Sequence, residues 1–396
     1  MKSSQPSAIF IVIIFLYFTV MQLCTDIYLP SYPFIQQSLH TSISQVQLTL
    51  PIFLIGYASS QLFLGTISDR YGRRPVMIFG MTLFVLGSIG CVFAPNISIL
   101  LISRLLQGLG GGASGAIGRA CLRDRYSGRD FGRIIAWIAF GWAIIPLVAP
   151  VIGSYIQHLL GWRYNFVFLL LLSVLCWCTA VFALPETLQH PVQSIRLRPL
   201  AKMFVTLFST PVFTLNALCM SGTQAIENAF SVTAPFLLQK GYHLSVITYG
   251  WIIFIVTASF LTGSVINNYL LRFFSSHRLA KVGVAINFTP LLILAIWAFI
   301  GHVPLVALIV LIFIMQMGSP LLFTNCSTMV MHPFPNLAGS ASAIMGSCTF
   351  FGGAIASLVM TRFHALHVLP VAIVMLAISA AMFIALYCID ASTVKT

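Results

Sequence analysis

The chain has 396 residues, of which 59% are hydrophobic and only 7% are charged, and its mean hydropathy is +0.99. Soluble domains carry about 25% charged residues, so this composition excludes a water-soluble globular protein and predicts a polytopic helical membrane protein. The formal net charge is +13, but the cations fall in short loops and not on one basic face. That pattern is typical of integral membrane proteins, and it argues against a nucleic-acid partner.

A helix needs about 20 apolar residues to cross a bilayer, and the sequence contains twelve such spans. The predicted spans are 8–29, 44–67, 76–95, 98–121, 133–158, 163–184, 211–238, 246–271, 279–299, 303–331, 336–361 and 367–389. The first has the length of a full span rather than of a signal-peptide core, so it is expected to be retained. The long connection 185–210 separates six helices from six. It predicts two bundles, residues 1–184 and 211–396, joined by a cytoplasmic linker.

Lysine and arginine are distributed unequally between the two sides of the predicted helices. If the N-terminus is cytoplasmic, that side receives fifteen of the 20. The opposite side receives only Arg163, Lys240 and Arg362, while Arg104 and Arg119 lie inside the fourth helix. By the positive-inside rule, both termini are expected to be cytoplasmic.

Residues 65–74 carry four charged side chains within six positions, which predicts a tight aqueous loop at the membrane surface. Shifted by 198 residues, this stretch matches the end of the eighth helix: Gly65, Asp69, Tyr71 and Arg74 fall on Gly263, Asn267, Tyr269 and Arg272. Chance similarity in glycine-rich apolar sequence is the alternative, but an offset of half the chain favours duplication. Two parallel six-helix halves are the arrangement that supports alternating access around a site at the middle of the membrane.

Two carboxylates, Asp26 on helix 1 and Glu227 on helix 7, lie well inside the predicted spans. A carboxylate in hydrocarbon costs at least about 2.5–3.5 kcal/mol, so each is a candidate functional residue. At ~1.5 Å rise per residue, Asp26 and Arg104 on helix 4 reach a similar depth in the outer half. The hypothesis is that Asp26 or Glu227 binds the coupling proton. The alternatives are a static ion pair between Asp26 and Arg104, and for Glu227 recognition of a cationic substrate or snorkelling near the outer rim.

Further polar and aromatic residues within the spans are candidates for lining a substrate cavity. They are Tyr28, Gln107, Arg119, Trp137, Trp142, Asn216, Gln224, Asn228, Phe230 and Asn325. The alternative for each is a lipid-facing or core position, and for Arg119 it is snorkelling. The nine cysteines show no zinc-ligand spacing, and no Ser-His-Asp or nucleotide motif is present. We therefore expect neither an enzyme nor an ATP-driven pump, no metal, and no cofactor beyond the proton gradient as energy source.

Several motifs together carry a resemblance to a known family. Gly65-x-x-x-Asp69-Arg70-x-Gly72-Arg73-Arg74 resembles the signature between helices 2 and 3 of the major facilitator superfamily (MFS), and Arg104-Leu105-Leu106-Gln107-Gly108-Leu109-Gly110 resembles its second motif. Pro146 and Ala149-Pro150-Val151-Ile152-Gly153 resemble the helix-5 antiporter motif of the twelve-helix drug/proton antiporter branch, with alanine where glycine is usual before the second proline. Gly161-Trp162-Arg163 and Leu184-Pro185-Glu186-Thr187 are similar to further marks of that branch. Thr25-Asp26-Ile27-Tyr28-Leu29-Pro30 and Arg119-x-x-x-Arg123-Asp124 are similar to its bicyclomycin-resistance (Bcr/CflA) subgroup.

The resemblance implies an all-α fold of two pseudo-symmetric six-helix bundles and a proton-coupled drug antiporter that exports amphipathic small molecules. It implies proton coupling for Arg104, and it implies a conformational latch formed by Gly65, Asp69, Arg70, Gly72, Arg73 and Arg74. Enforcing topology is the alternative role for these arginines. Pro146, Pro150 and Gly153 form the helix-5 motif. The expected location is the bacterial cytoplasmic (inner) membrane, and a functional monomer with small-molecule, proton and lipid partners is expected. The alternative functions are a carrier for a specific metabolite, peptide or siderophore, and a non-transporting membrane sensor.

Overall fold

The computed structural model describes residues 8–189, 204–331, 338–363 and 365–388. Twelve long helices run through these residues, and we number them α1 to α12 in chain order. The first six are α1 (Ala8–Asp26), α2 (Thr49–Tyr71), α3 (Arg73–Val92), α4 (Ile97–Arg125), α5 (Gly128–Leu159) and α6 (Trp162–Phe182). The second six are α7 (Pro211–Phe236), α8 (Val246–Leu270), α9 (Ser276–Ile300), α10 (Leu305–Met331), α11 (Ala338–Met360) and α12 (Val368–Cys388). The all-α fold predicted from the sequence is confirmed.

Ten helical spans of the described chain are long and apolar enough to cross a membrane. α11 contributes a shorter apolar helix, Ile344–Met360, and α7 is not among the ten. α7 carries Gln224, Glu227 and Asn228 in consecutive turns, and these side chains lower its hydropathy. α7 is therefore a predicted span that combines a lower hydropathy with a candidate carboxylate.

Proline and capping side chains decide where several helices begin and end. α1 ends at Asp26, and the chain continues through a 3₁₀ turn, Leu29–Ser31, into the short helix Tyr32–Ser38. Pro30 lies within that turn, where its missing N–H and its effect on the preceding residue disfavour a continuing α-helix. At the start of α4, the side chain of Asn96 accepts the backbone N–H of Ile99 at 3.0 Å, which satisfies one of the open donors of the first turn.

The prediction of an aqueous loop at residues 65–74 is wrong. α2 continues to Tyr71 and α3 begins at Arg73, so Gly72 alone separates the two helices. Gly72 has φ +99°, a conformation that side chains other than glycine rarely adopt. Asp69 and Arg70 therefore lie on the last turn of α2. Charged side chains at a helix end can reach water without any loop, which is why charge density alone misplaced the boundary.

The chain divides into two compact units. The first contains Met1–Thr41 and Ile52–Arg196, and the second contains Ser42–Pro51 and Leu197–Thr396. The segment before α2 thus groups with the second unit. There, the side chain of Gln47 donates a hydrogen bond to the backbone carbonyl of Val232 on α7 at 3.1 Å. Of the predicted linker 185–210, residues 190–203 lie outside the described residues.

The same helix pairs pack within each unit. In the first unit, α3 packs along α4 and α6, and α1 packs along α4 and α5. In the second unit, α9 packs along α10 and α12, and α7 packs along α10 and α11. The second set is the first shifted by six helices. Asn267, the counterpart of Asp69 in the internal repeat, is buried and accepts a hydrogen bond from Asn325 at 2.7 Å.

Candidate functional site

Arg104 of α4 is fully buried in the first unit and reaches the end of α1. Its Nη1 donates to Cys24 Sγ at 3.0 Å and to Gln107 Oε1 at 2.7 Å. Its Nη2 donates to the Cys24 carbonyl at 3.1 Å and to Tyr28 Oη at 3.2 Å. The guanidinium also lies 4.4 Å and 4.2 Å from the ring centroids of Tyr28 and Phe53. A buried cation requires such acceptors and ring faces in place of water.

Gln107 connects this cation to α3. Besides Arg104, its Oε1 accepts from the thiols of Cys24 at 3.6 Å and Cys91 at 3.5 Å. Its Nε2 donates to Ser88 Oγ at 2.9 Å. Both the oxygen and the nitrogen of the Gln107 side-chain amide thus form hydrogen bonds, and these bonds connect α1, α3 and α4. Hydrogen bonds to charged groups each contribute about 1.5–3 kcal/mol, so this buried network fixes the end of α1.

Asp26 lies between Cys24 and Tyr28, the two residues that Arg104 contacts, yet the structure shows no ion pair between Asp26 and Arg104. The half-buried carboxylate instead accepts a hydrogen bond from Gln22 Nε2 at 2.9 Å, one turn earlier on α1. The alternative of a static Asp26–Arg104 pair is therefore not supported. Arg104 contacts residues 24 and 28, and so it positions the segment that carries Asp26.

The helix-5 motif packs against the same segment. Pro146 and Pro150 both lie inside α5, which continues through them. A Cβ at Gly153 would overlap the backbone carbonyl of Ile27, so glycine permits α5 to approach the residue next to Asp26. Asn165 of α6 fixes this contact, because its Nδ2 donates to the Gly153 carbonyl at 3.3 Å.

Glu227 lies on α7 in the second unit and is half-buried. Its Oε2 accepts a hydrogen bond from Gln224 at 3.3 Å. Asn228 is buried and donates to the Gln224 carbonyl at 2.9 Å, and Phe230 is also buried. The structure thus brings together Gln224, Glu227 and Asn228 on one face of one helix.

The remaining cavity candidates lie in different surroundings. Asn216 and Asn325 are buried, and each donates to a carbonyl one turn back on its own helix. Tyr28 and Gln107 belong to the buried Arg104 network described above. Arg119 is half-buried and its Nε donates to the Gly115 carbonyl at 3.0 Å. Trp137 is exposed, and the side chain of Trp142 lies outside the described residues. Most of these side chains form hydrogen bonds within their own unit.

The predicted latch residues meet at the α2–α3 junction, with Arg73 at their centre. Its side chain is only 8% exposed, and it forms ion pairs with Asp69 at 2.6 Å and Asp124 at 3.0 Å. Its Nη1 also donates to Ser68 Oγ at 2.7 Å. Ser68 in turn donates to the Gly65 carbonyl at 2.7 Å. The junction therefore joins the end of α2, the start of α3 and the end of α4.

The arginines on either side of Arg73 have less buried surroundings. Arg70 lies over the ring of Tyr71 at 5.2 Å, and both residues are exposed. Arg74 donates through Nη2 to the Val181 carbonyl on α6 at 2.5 Å. Arg70 is thus exposed at the end of α2, whereas Arg74 connects α3 to α6.

Glu186, which sequence reasoning did not include among the site residues, completes this junction. Its two carboxylate oxygens accept the backbone N–H groups of Arg73 at 2.9 Å and Arg74 at 3.1 Å, the first two residues of α3. The N–H groups of Thr187 and Leu188 donate to it as well, each at 2.9 Å. Desolvation disfavours the charged form, but these donors outweigh it and lower the pKa of Glu186 below its usual value. A carboxylate at a helix N-terminus is stabilising because it meets open N–H groups and the positive end of the helix dipole.

Gly72 makes room for this cap. A Cβ at that position would lie 2.6 Å from Glu186 Oε2. Two signals in the sequence pointed to Glu186: it is one of only seven acidic residues, and it lies in a motif typical of the twelve-helix branch.

Helices of membrane-spanning length in two units with matching packing, and charged side chains buried inside them, define a polytopic membrane transporter. Residues 11–357 match the model of the Major Facilitator Superfamily, and the chain belongs to this family. The transporter class predicted from the sequence is thereby confirmed, and the chain is not an enzyme.

Known proteins similar to this chain include drug-resistance transporters. Multidrug resistance protein D of Escherichia coli (strain K12) is 29% identical over 338 residues, which cover 85% of this chain and 84% of that protein. The bicyclomycin resistance protein homolog of Haemophilus influenzae is 28% identical over 336 residues and 83% of each chain. Among solved structures, the D-xylose-proton symporter matches 95% of this chain and 98% of its own with a TM-score of 0.75. At 16% sequence identity that match shows the fold alone.

Proposed function

We propose that this chain is a proton-coupled antiporter that exports amphipathic small molecules by alternating access. The names of similar proteins support export of drug-like compounds, since they include multidrug and bicyclomycin resistance proteins. The distribution of lysine and arginine supports an orientation with both termini in the cytoplasm, and the organisms of the similar proteins support a bacterial cytoplasmic membrane location. In this proposal the two six-helix bundles, residues 1–184 and 211–396, are the moving parts, and the protein acts as a monomer without a cofactor.

The observation that carries the proposal is the set of contacts around the Asp26 carboxylate. Its carboxylate lies at the end of a membrane-length helix, and its partner is the neutral amide of Gln22 rather than a cation. Protonation of Asp26 therefore breaks no ion pair. The segment around it is nevertheless held firmly, because Arg104 bonds to Cys24 and Tyr28 on either side. We assign proton binding to Asp26 and the positioning of that carboxylate to Arg104.

The energy available from one proton is sufficient for export. One entering charge contributes about 2.3 kcal/mol per 100 mV of membrane potential, and one unit of pH adds about 1.4 kcal/mol. Together they sustain a substrate gradient of roughly several hundredfold for one proton per cycle. Each 1.4 kcal/mol accounts for a factor of about ten.

The α2–α3 junction has the composition of a conformational latch. Of the two carboxylates that pair with Arg73, Asp69 is the more exposed, with 45% of its side chain exposed, whereas Asp124 is 21% exposed. We propose that the ion pair between Arg73 and Asp69 breaks and forms again during the transport cycle. In that case Asp124, with Glu186 at the α3 N-terminus, keeps Arg73 in place throughout.

Transport by the full chain in proteoliposomes tests the proposal. With an imposed pH gradient, we expect wild-type protein to move ethidium and chloramphenicol against their gradients. Asp26→Asn should abolish this transport while membrane insertion and thermal stability remain. Asp130→Asn, a control at an exposed carboxylate in the first turn of α5, should retain it. Wild-type transport rates in Asp26→Asn would end the assignment of the proton to this residue.

A further inference from the structure

A cavity of about 700 Å³ lies in the second unit, among the connections α7–α8, α9–α10 and α11–α12. These connections are on the side that we propose to face away from the cytoplasm. The hydroxyl of Tyr242 donates to the Val303 carbonyl at 2.6 Å, which joins the first two connections. A Cβ at Gly241 would lie 3.1 Å from the Leu366 carbonyl, so the first and third connections are also in close contact. The connections that form the walls of the cavity are therefore in direct contact with one another.

The polar side chains that line this cavity are basic or neutral. Arg362, His302 and His367 contribute to its wall, and all three are exposed. The ring of Tyr242 lies 5.8 Å from that of His302, and desolvation by burial raises the pKa of Tyr242, so its phenol stays neutral. The first turn of α12, which begins at Val368, forms another part of the wall. The N-terminal end of a helix carries a partial positive charge.

The connections contain no acidic residue that could pair with these basic side chains. The chain has seven aspartates and glutamates in all, and none falls in residues 237–245, 301–304 or 361–367. In the described structure, the Arg362 side chain has no carboxylate partner. An arginine fork and two imidazoles that line the same cavity provide hydrogen-bond donors that suit a carboxylate or phosphate group.

The rest of the wall is apolar. Phe363, Leu366, Leu369 and Pro370 contribute hydrophobic surface next to the basic side chains. Ligand pockets typically have volumes of about 300–1,000 Å³, with mostly apolar walls and a few polar groups. The volume and the mixed lining both suit a molecule with an anionic head and an apolar body.

We propose that this cavity is a binding site for an amphiphilic anion. Arg362, His302 and His367 hold its carboxylate or phosphate, and Phe363 and Leu369 contact its apolar part. Such an anion comes either from the aqueous phase or from the headgroup of an anionic phospholipid. None of the residues that line this cavity takes part in the proton binding assigned to Asp26, and anion binding here does not depend on that assignment.

The test uses the full chain in nanodiscs of phosphatidylcholine, with n-octyl phosphate as the probe in isothermal titration. Arg362→Gln is expected to weaken binding about tenfold or more, because a charge-assisted hydrogen bond is lost. Arg163→Gln, a second arginine on the side proposed to be outer, should change the affinity less than twofold. Unchanged thermal stability of Arg362→Gln without the probe shows that the variant is folded. Equal affinity of wild-type protein for n-octanol, which lacks the phosphate, would contradict recognition of the anion.

A second arm identifies the source of the anion. Wild-type protein and Arg362→Gln are compared in nanodiscs of phosphatidylcholine alone and with added phosphatidylglycerol. If phosphatidylglycerol raises the thermal stability of the wild type but not that of Arg362→Gln, the site binds a lipid headgroup. A response of wild-type protein to n-octyl phosphate alone assigns it to a soluble anion. If Arg362→Gln behaves as wild type in both arms, the proposal is overturned.

Discussion

The two ion pairs of Arg73 should contribute unequally to stability, because their carboxylates differ in exposure. The pair with Asp69 involves a side chain that is 45% exposed, and exposed pairs contribute about 0.2–1 kcal/mol. The pair with Asp124 involves a side chain that is 21% exposed, and hydrogen bonds to charged groups contribute about 1.5–3 kcal/mol. In double-mutant cycles we therefore expect a coupling free energy of about 2 kcal/mol for Arg73 with Asp124 and about 0.5 kcal/mol with Asp69.

The cycles combine Arg73→Gln with Asp124→Asn and with Asp69→Asn in the full chain. Unfolding by sodium dodecyl sulfate in mixed micelles gives the free energies. Arg129 and Asp130, which form no ion pair in the described structure, provide a control cycle with a coupling near zero. A coupling with Asp69 that equals or exceeds the coupling with Asp124 would refute the reasoning from exposure. Raising the salt concentration to 1 M should reduce the smaller coupling first, because exposed charges are screened more.

Three further predictions concern the cap, the helix-5 contact and the second carboxylate. Glu186→Gln should cost about 0.3–1 kcal/mol of stability at neutral pH. Because the folded state lowers the pKa of Glu186, its contribution is complete above the ordinary glutamate pKa of about 4.3 and is lost as pH falls through the lower folded value. Unfolding curves of wild type and variant should converge in acid, and a constant gap would contradict the cap. Gly153→Ala should cost about 1–3 kcal/mol and reduce transport by forcing α5 away from the Ile27 carbonyl. Gly132→Ala on the same helix, where nothing lies within 4 Å, should leave transport unchanged and raise stability by about 0.5–1 kcal/mol. Glu227→Gln should impair export of ethidium more than that of chloramphenicol, and equal losses would argue against charge recognition.

The helices could be predicted from the sequence because span length and apolarity decide them. The predicted span 246–271 corresponds to α8 at Val246–Leu270, and 279–299 corresponds to α9 at Ser276–Ile300. The α2–α3 junction was the exception, because a single glycine with positive φ replaces the expected loop. A hydropathy pattern cannot show that a single residue separates two helices.

The site could be predicted only in part. Arg104 was predicted to lie inside the fourth helix, and the structure buries it there among hydrogen-bond acceptors. Its partners Cys24 and Tyr28 lie 80 and 76 residues away in the sequence, so no local pattern indicates them. Glu186 caps a helix 113 residues away, and its role follows from tertiary packing alone. Residue type identified which side chains are costly to bury, whereas the fold determines what each one contacts.

The central claim is that Asp26 exchanges a proton when a compound binds. Purified protein in weakly buffered detergent solution, challenged with a panel that includes ethidium and chloramphenicol, is followed with a pH-sensitive dye. We expect release of about one proton per bound compound at neutral pH in the wild type and none in Asp26→Asn. Compound binding to the wild type without proton release, or equal release from Asp26→Asn, would contradict it.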